Sequence, residues 1–163
     1  MIRTMKTVNF AQMVIRKFIS AAIATCLFTV IYAWLEPDPF SISNTYSNIV
    51  RVKEAFQTIS AYMFYTTPAI YIYGIVTSLI SEVISRVVTK RRWLQLTISA
   101  LFHCLFGLIL LRISLLAAIL FFIADTVLAL TRKKPYTVEM ALSSTLLPIC
   151  LWLVSLTFLN VTD

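Results

Sequence analysis

The sequence predicts an all-α fold: a polytopic membrane helix bundle of about five transmembrane helices, N-terminus in the cytoplasm and C-terminus outside. Three observations carry that expectation. Of 163 residues, 60% are hydrophobic and 13% charged, and the mean hydropathy is +0.87, whereas a soluble domain usually carries about a quarter charged residues. A soluble chain of this length has no core large enough to hide that apolar excess. The apolar residues gather into tracts of spanning length, and the basic residues gather on one side of them.

A hydrocarbon layer about 30 Å thick takes roughly 20 apolar residues at 1.5 Å rise each. The first span is expected over 18–35, directly after Arg16 and Lys17, and the second over 59–81. The third and fourth share one tract from Trp93 to Leu130, broken by Arg112 and Ser114. As a single helix it would reach about 57 Å, nearly twice the hydrocarbon thickness. Division near Arg112 gives 93–111 and 113–130, a tight hairpin with Arg112 hydrated at the far interface. The fifth span is expected over 140–159. The whole chain, 1–163, then forms a single transmembrane domain, with 36–58 as an extracytoplasmic loop opened by Pro37 and Pro39.

Orientation follows from the Lys and Arg positions, which favour the cytoplasmic side. With the N-terminus inside, Arg3, Lys6, Arg16, Lys17, Arg86, Lys90, Arg91, Arg92, Arg132, Lys133 and Lys134 are cytoplasmic, and Arg51, Lys53 and Arg112 are not. That is eleven against three, all fourteen bases of the chain. The formal charge of +7 reflects this bias and an attraction to anionic lipid, so no nucleic-acid partner is expected. The first apolar run exceeds the 7–15 residues of a signal-peptide core and no A-x-A site follows it, so it reads as an uncleaved anchor.

Ionisable groups at membrane depth are functional candidates by default. Asp125 lies within the fourth span; it suits either a proton- or cation-linked site or an interhelical contact with cytoplasmic bases. His103 is the only histidine, and across the hairpin a His103–Asp125 contact is geometrically open. Glu82 and Arg86 stand at i and i+4 in the favourable order for a helical ion pair. Gly74, Ser78, Ser81 and Ser85 form a small-residue stripe of the kind that lets helix backbones approach closely. The stripe reads either as a helix-packing face or as a serine-lined path closed by the Glu82–Arg86 pair. Pro68 and Pro148 should kink their helices, and of the deeper Tyr71 and Tyr73 at least one hydroxyl needs a protein partner.

Cys26, Cys104 and Cys150 are scattered through apolar runs, which fits neither a disulfide framework nor a zinc site. H-E-x-x-H, G-x-S-x-G and Walker patterns are missing. The expectation is therefore a non-enzyme without catalytic, cofactor-binding or metal residues and without a cofactor.

The stretch 67–86, through Pro68, Tyr73, Gly74, Ser78, Ser81 and Glu82, resembles a family of small uncharacterised multi-span membrane proteins of Bacillus-type bacteria. The resemblance covers about an eighth of the chain. It implies a multi-pass protein of the bacterial cytoplasmic membrane and transfers no catalytic residue. The function expected is a non-enzymatic interaction, accessory or immunity-type factor, its partners the lipid bilayer and a membrane protein or a second copy. Its surfaces would be the small-residue face of the second span and the 36–58 loop. The alternative is a small transporter or channel with a proton- or cation-linked site at Asp125.

Overall fold

The computed structural model describes residues 10–36, 48–109, 112–131 and 134–162. They form helices α1 (Phe10–Leu35), α2 (Asn48–Ala69), a π-helical turn (Ile70–Gly74), α3 (Ile75–Val88), α4 (Arg92–Ile109), α5 (Arg112–Thr131) and α6 (Val138–Thr162). There are no strands among the described residues. Four helical stretches are long and apolar enough to cross a membrane: Phe10–Leu35, Val50–Val88, Ile113–Thr131 and Val138–Thr162. Helix α4 is not among these four. Its 18 residues reach about 27 Å.

The helices outrun the expected spans. Hydrocarbon thickness fixes how many residues must be apolar, but a helix continues while its backbone bonds continue. Thus α1 starts at Phe10, eight residues before the expected 18, and α2 starts at Asn48, so residues 48–58 are helix and not loop. Residues 37–47, the rest of the expected 36–58 loop, lie outside the described residues, as do Arg132 and Lys133 and the side chain of Arg112. The Trp93–Leu130 tract does divide, into α4 ending at Ile109 and α5 beginning at Arg112, and the two pack side by side.

Helix α1 is the hub. It touches α2, the π turn, α3, α5 and α6, and Ala21, Ala22, Ala24 and Ala33 along it are fully buried. Such small residues let five neighbours approach one axis. One core joins Ala21, Ala24, Phe28 and Tyr32 of α1 to Ile70, Ile75 and Phe121; a second joins Ala33 to Ala55, Ile59 and Met63 of α2.

The rod from Asn48 to Val88 changes neighbours halfway. Its α2 half packs on α1 and α6, and its α3 half on α4 and α1. The change falls at the π turn, which begins two residues after Pro68. Proline has no N–H for the carbonyl four residues back, and a π turn is one way a helix absorbs such a disturbance. At the far end of the bundle the Phe56 and Phe158 rings stack with centroids 4.2 Å apart, pinning the start of α2 to the end of α6. Helix α6 runs unbroken through Pro148.

Of the two glycines, Gly107 sits in the closer helix contact. A Cβ there would lie 2.9 Å from the Ala118 Cβ and 3.0 Å from the Leu115 Cα, whereas one on Gly74 would meet the Phe121 ring at an ordinary 3.4 Å. Gly107→Ala would gain about 1 kcal/mol of helix propensity against about 1–3 kcal/mol of overpacking. Reversible denaturation in detergent should therefore show Gly107→Ala less stable than wild type by up to about 2 kcal/mol. Gly74→Ala should be neutral or stabilising; the opposite order would contradict the packing described here.

Candidate functional site: a buried charged layer

Three helices each carry a charge at the same depth. Arg16 comes six residues after the start of α1 at Phe10. Glu82 comes six before the end of α3 at Val88, and Asp125 six before the end of α5 at Thr131. At 1.5 Å per residue each lies about 9 Å inside the same end of the bundle. Neighbouring residues on two of these helices, Lys17 and Arg86, complete the layer.

The geometry is dense. The Lys17 ammonium donates to Asp125 Oδ2 at 2.6 Å and lies 2.9 Å from Glu82 Oε2. Arg16 donates through Nε to Asp125 Oδ1 at 2.8 Å and through Nη2 to Glu82 Oε2 at 2.7 Å. A longer bond of 3.3 Å joins Arg16 Nη2 to Asp125 Oδ2. Ser20, one turn along α1, donates to Asp125 Oδ1 at 3.3 Å. Arg86 donates to the other Glu82 oxygen, the i,i+4 pair expected from the sequence. The Lys17 side chain is 1% exposed and that of Arg86 38%.

Three cations thus enclose two carboxylates, and the layer carries a net charge of +1. Taking a charge out of water costs several kcal/mol even after relaxation, so a buried pair adds little net stability by itself. Removing one member is what costs, because its partner is left charged and dry. The layer therefore fixes which faces of α1, α3 and α5 meet.

His103 does not join it. Its Nδ1 lies 2.8 Å from the Ser99 carbonyl oxygen, its Nε2 has no hydrogen-bond partner, and its ring rests on Phe121 and Phe122. The expected His103–Asp125 contact is not formed. A neutral ring is a poor competitor for a carboxylate that two full cations already reach.

The serine stripe is inside the fold. Ser78 and Ser81 are fully buried, Ser85 2% exposed, and Gly74 sits against Phe121. Ser81 donates to the Thr77 carbonyl and Ser85 to that of Glu82, so both hydroxyls are satisfied by their own helix. Ser78 Oγ is buried without a partner. This face packs the molecule internally and is not an outward surface for another protein. Of the two deeper tyrosines, Tyr73 donates to the Phe106 carbonyl at 3.0 Å, while the Tyr71 hydroxyl has no partner.

Lys17, Arg16 and Ser20 are the members that sequence reasoning missed, having treated the two bases as flanks of a span beginning at 18. The signal was present upstream: Phe10, Ala11, Met13, Val14 and Ile15 continue the apolar run on the other side of them. Nearby, Gln12 Nε2 donates to the Tyr136 carbonyl and the Tyr136 N–H to Gln12 Oε1, at 2.8 and 2.7 Å. This closed exchange ties the segment before α6 to α1. Among the described residues no three His, Cys, Asp or Glu side chains gather as metal ligands would. No family model, curated protein or solved structure matches the chain.

Asp125→Asn should destabilise the protein by about 3 kcal/mol, the low end for breaking a buried pair, since Glu82 still reaches both bases. Lys17→Met should restore part of that loss in the double variant. A double-mutant cycle in detergent should return a coupling of at least about 1 kcal/mol, and strict additivity would remove the pair from the account.

Proposed function

We propose that this chain is a small multi-pass protein of a bacterial cytoplasmic membrane that acts by non-enzymatic interaction, as an accessory, immunity-type or stress-related factor. The lipid bilayer is its solvent, and a membrane protein or a second copy is its partner. The observation that carries this reading is the saturation of Asp125 and Glu82 by Arg16, Lys17 and Arg86. A transport site needs a carboxylate that can exchange a proton or cation. Here both carboxylates are held by cations of the chain itself, and the serines beside them are turned into helix contacts.

Five passes with the N-terminus inside fit the same arrangement. Arg16, Lys17, Arg86, Lys90, Arg91 and Arg92 lie at one end of the helices, the end of the charged layer. The positive-inside bias makes that end cytoplasmic. An odd number of passes then puts Thr162 on the opposite side.

Two measurements test the proposal. Wild-type protein in liposomes should show no proton or cation flux above that of protein-free vesicles, and cross-linking in native membranes should recover a stoichiometric partner or homo-oligomer. Flux that disappears in Asp125→Asn would instead establish the transport alternative. A C-terminal reporter should be active only outside the cytoplasm; cytoplasmic activity would overturn the five-pass reading.

A further inference from the structure

A partly open cleft of about 280 Å³ lies between the rod and the α4–α5 pair. It follows from the change of neighbours at the π turn. The α2 half of the rod packs on α1 and α6 and the α3 half on α4, which leaves room between the end of α2 and the pair. Two walls run side by side, from Ala69 to Thr77 on the rod and from Ile113 to Phe121 on α5. Each covers eight residues, about 12 Å of helix. At one end Ala69 and Ile113 are exposed, and at the other Thr77 and Phe121 are buried. The cleft is a slot, closed toward the charged layer and open at the far end.

The mouth opens onto an apolar surface. Ala69 stands in a row with the exposed side chains of Tyr65, Ile72 and Val76, inside a stretch apolar enough to cross a membrane. Within the slot, the hydroxyls of Thr66, Tyr73 and Thr77 donate to backbone carbonyls. Water is therefore a poor occupant, since it needs two to four polar partners. An empty slot forfeits the dispersion contacts of its lining. A helix, about 10 Å across with its side chains, is too wide to enter. A single hydrocarbon chain is narrow enough, and in a bilayer it is the solvent at the mouth.

We infer that this cleft is the seat of one acyl chain of a bilayer lipid, entering between Ala69 and Ile113 and ending against Thr77 and Phe121. The inference rests on the bilayer being the solvent of the chain, and it does not depend on the partner reading above.

The test uses the full chain in phosphatidylcholine nanodiscs doped with a phosphatidylcholine whose acyl chain carries a photoactivatable diazirine. Adducts are mapped to residues by mass spectrometry of the digested protein. Lipid that merely surrounds the bundle should label the outward Leu101 and Leu105, which are 59% and 58% exposed. A chain in the slot should also label the buried Thr77 and Phe121. Ala117→Leu, which adds bulk to the α5 wall, should remove the buried adducts and leave the outward ones. Adducts on outward residues alone in the wild type, or buried adducts that survive Ala117→Leu undiminished, would overturn the inference. Labelling of neither set would overturn it together with the bilayer reading. Buried adducts should be equal with one copy per disc and with two; their loss at two copies would give the slot to a second copy instead. The wild-type pattern decides the question even where the variant does not fold.

Discussion

The arrangement of the bundle depends on how one buried ammonium group is neutralised. Lys17 is 1% exposed, and in an apolar interior an unpaired charge is untenable. Two carboxylates reach it, one on α3 and one on α5, which obliges three helices to share a rotational setting and a depth. Arg16 accepts the same geometry from the adjacent position on α1, bridging both acids. Hydrophobic packing alone would set the rotation of α1 and α5 only weakly, because their apolar residues lie on every face. Direction comes from the charges.

The small residues of α1 and the rod are the second half of the same design. Charged groups a few ångström long can meet only if the backbones approach closely, and Ala21, Ala24, Ser78 and Ser81 permit that approach. Serines here act as compact residues, and Ser81 and Ser85 satisfy their hydroxyls on their own helix. Gly107 performs the equivalent service between α4 and α5, where even one methyl group would meet backbone.

Much of the fold was legible in the sequence, because hydrophobic excess and the length of apolar tracts are one-dimensional properties. The division of the Trp93–Leu130 tract between α4 and α5 could be read from length alone, and the Glu82–Arg86 pair from spacing. The starts of α1 and α2 could not. Span logic stops at the first charge, while α1 runs through Arg16 and Lys17, whose charges meet acids on α3 and α5, and α2 runs through Arg51, Lys53 and Glu54. Asp125 was identifiable as an anomaly, yet its partners lie more than one hundred residues away, and a hydrogen bond to His103 was the nearest guess in sequence. The π turn was foreshadowed only by Pro68, and the cavity beside it by nothing periodic.

The charged layer also has an order in time. A chain is made from its N-terminus, so Arg16 and Lys17 exist before either acid has been synthesised. Glu82 arrives sixty-five residues after Lys17, and Asp125 another forty-three later. The cations of α1 are therefore without these two partners until α3 and α5 have been made. Completion of the charged layer becomes a final step set by the last acid to emerge, and a product ending before Asp125 would leave Arg16 and Lys17 with Glu82 alone.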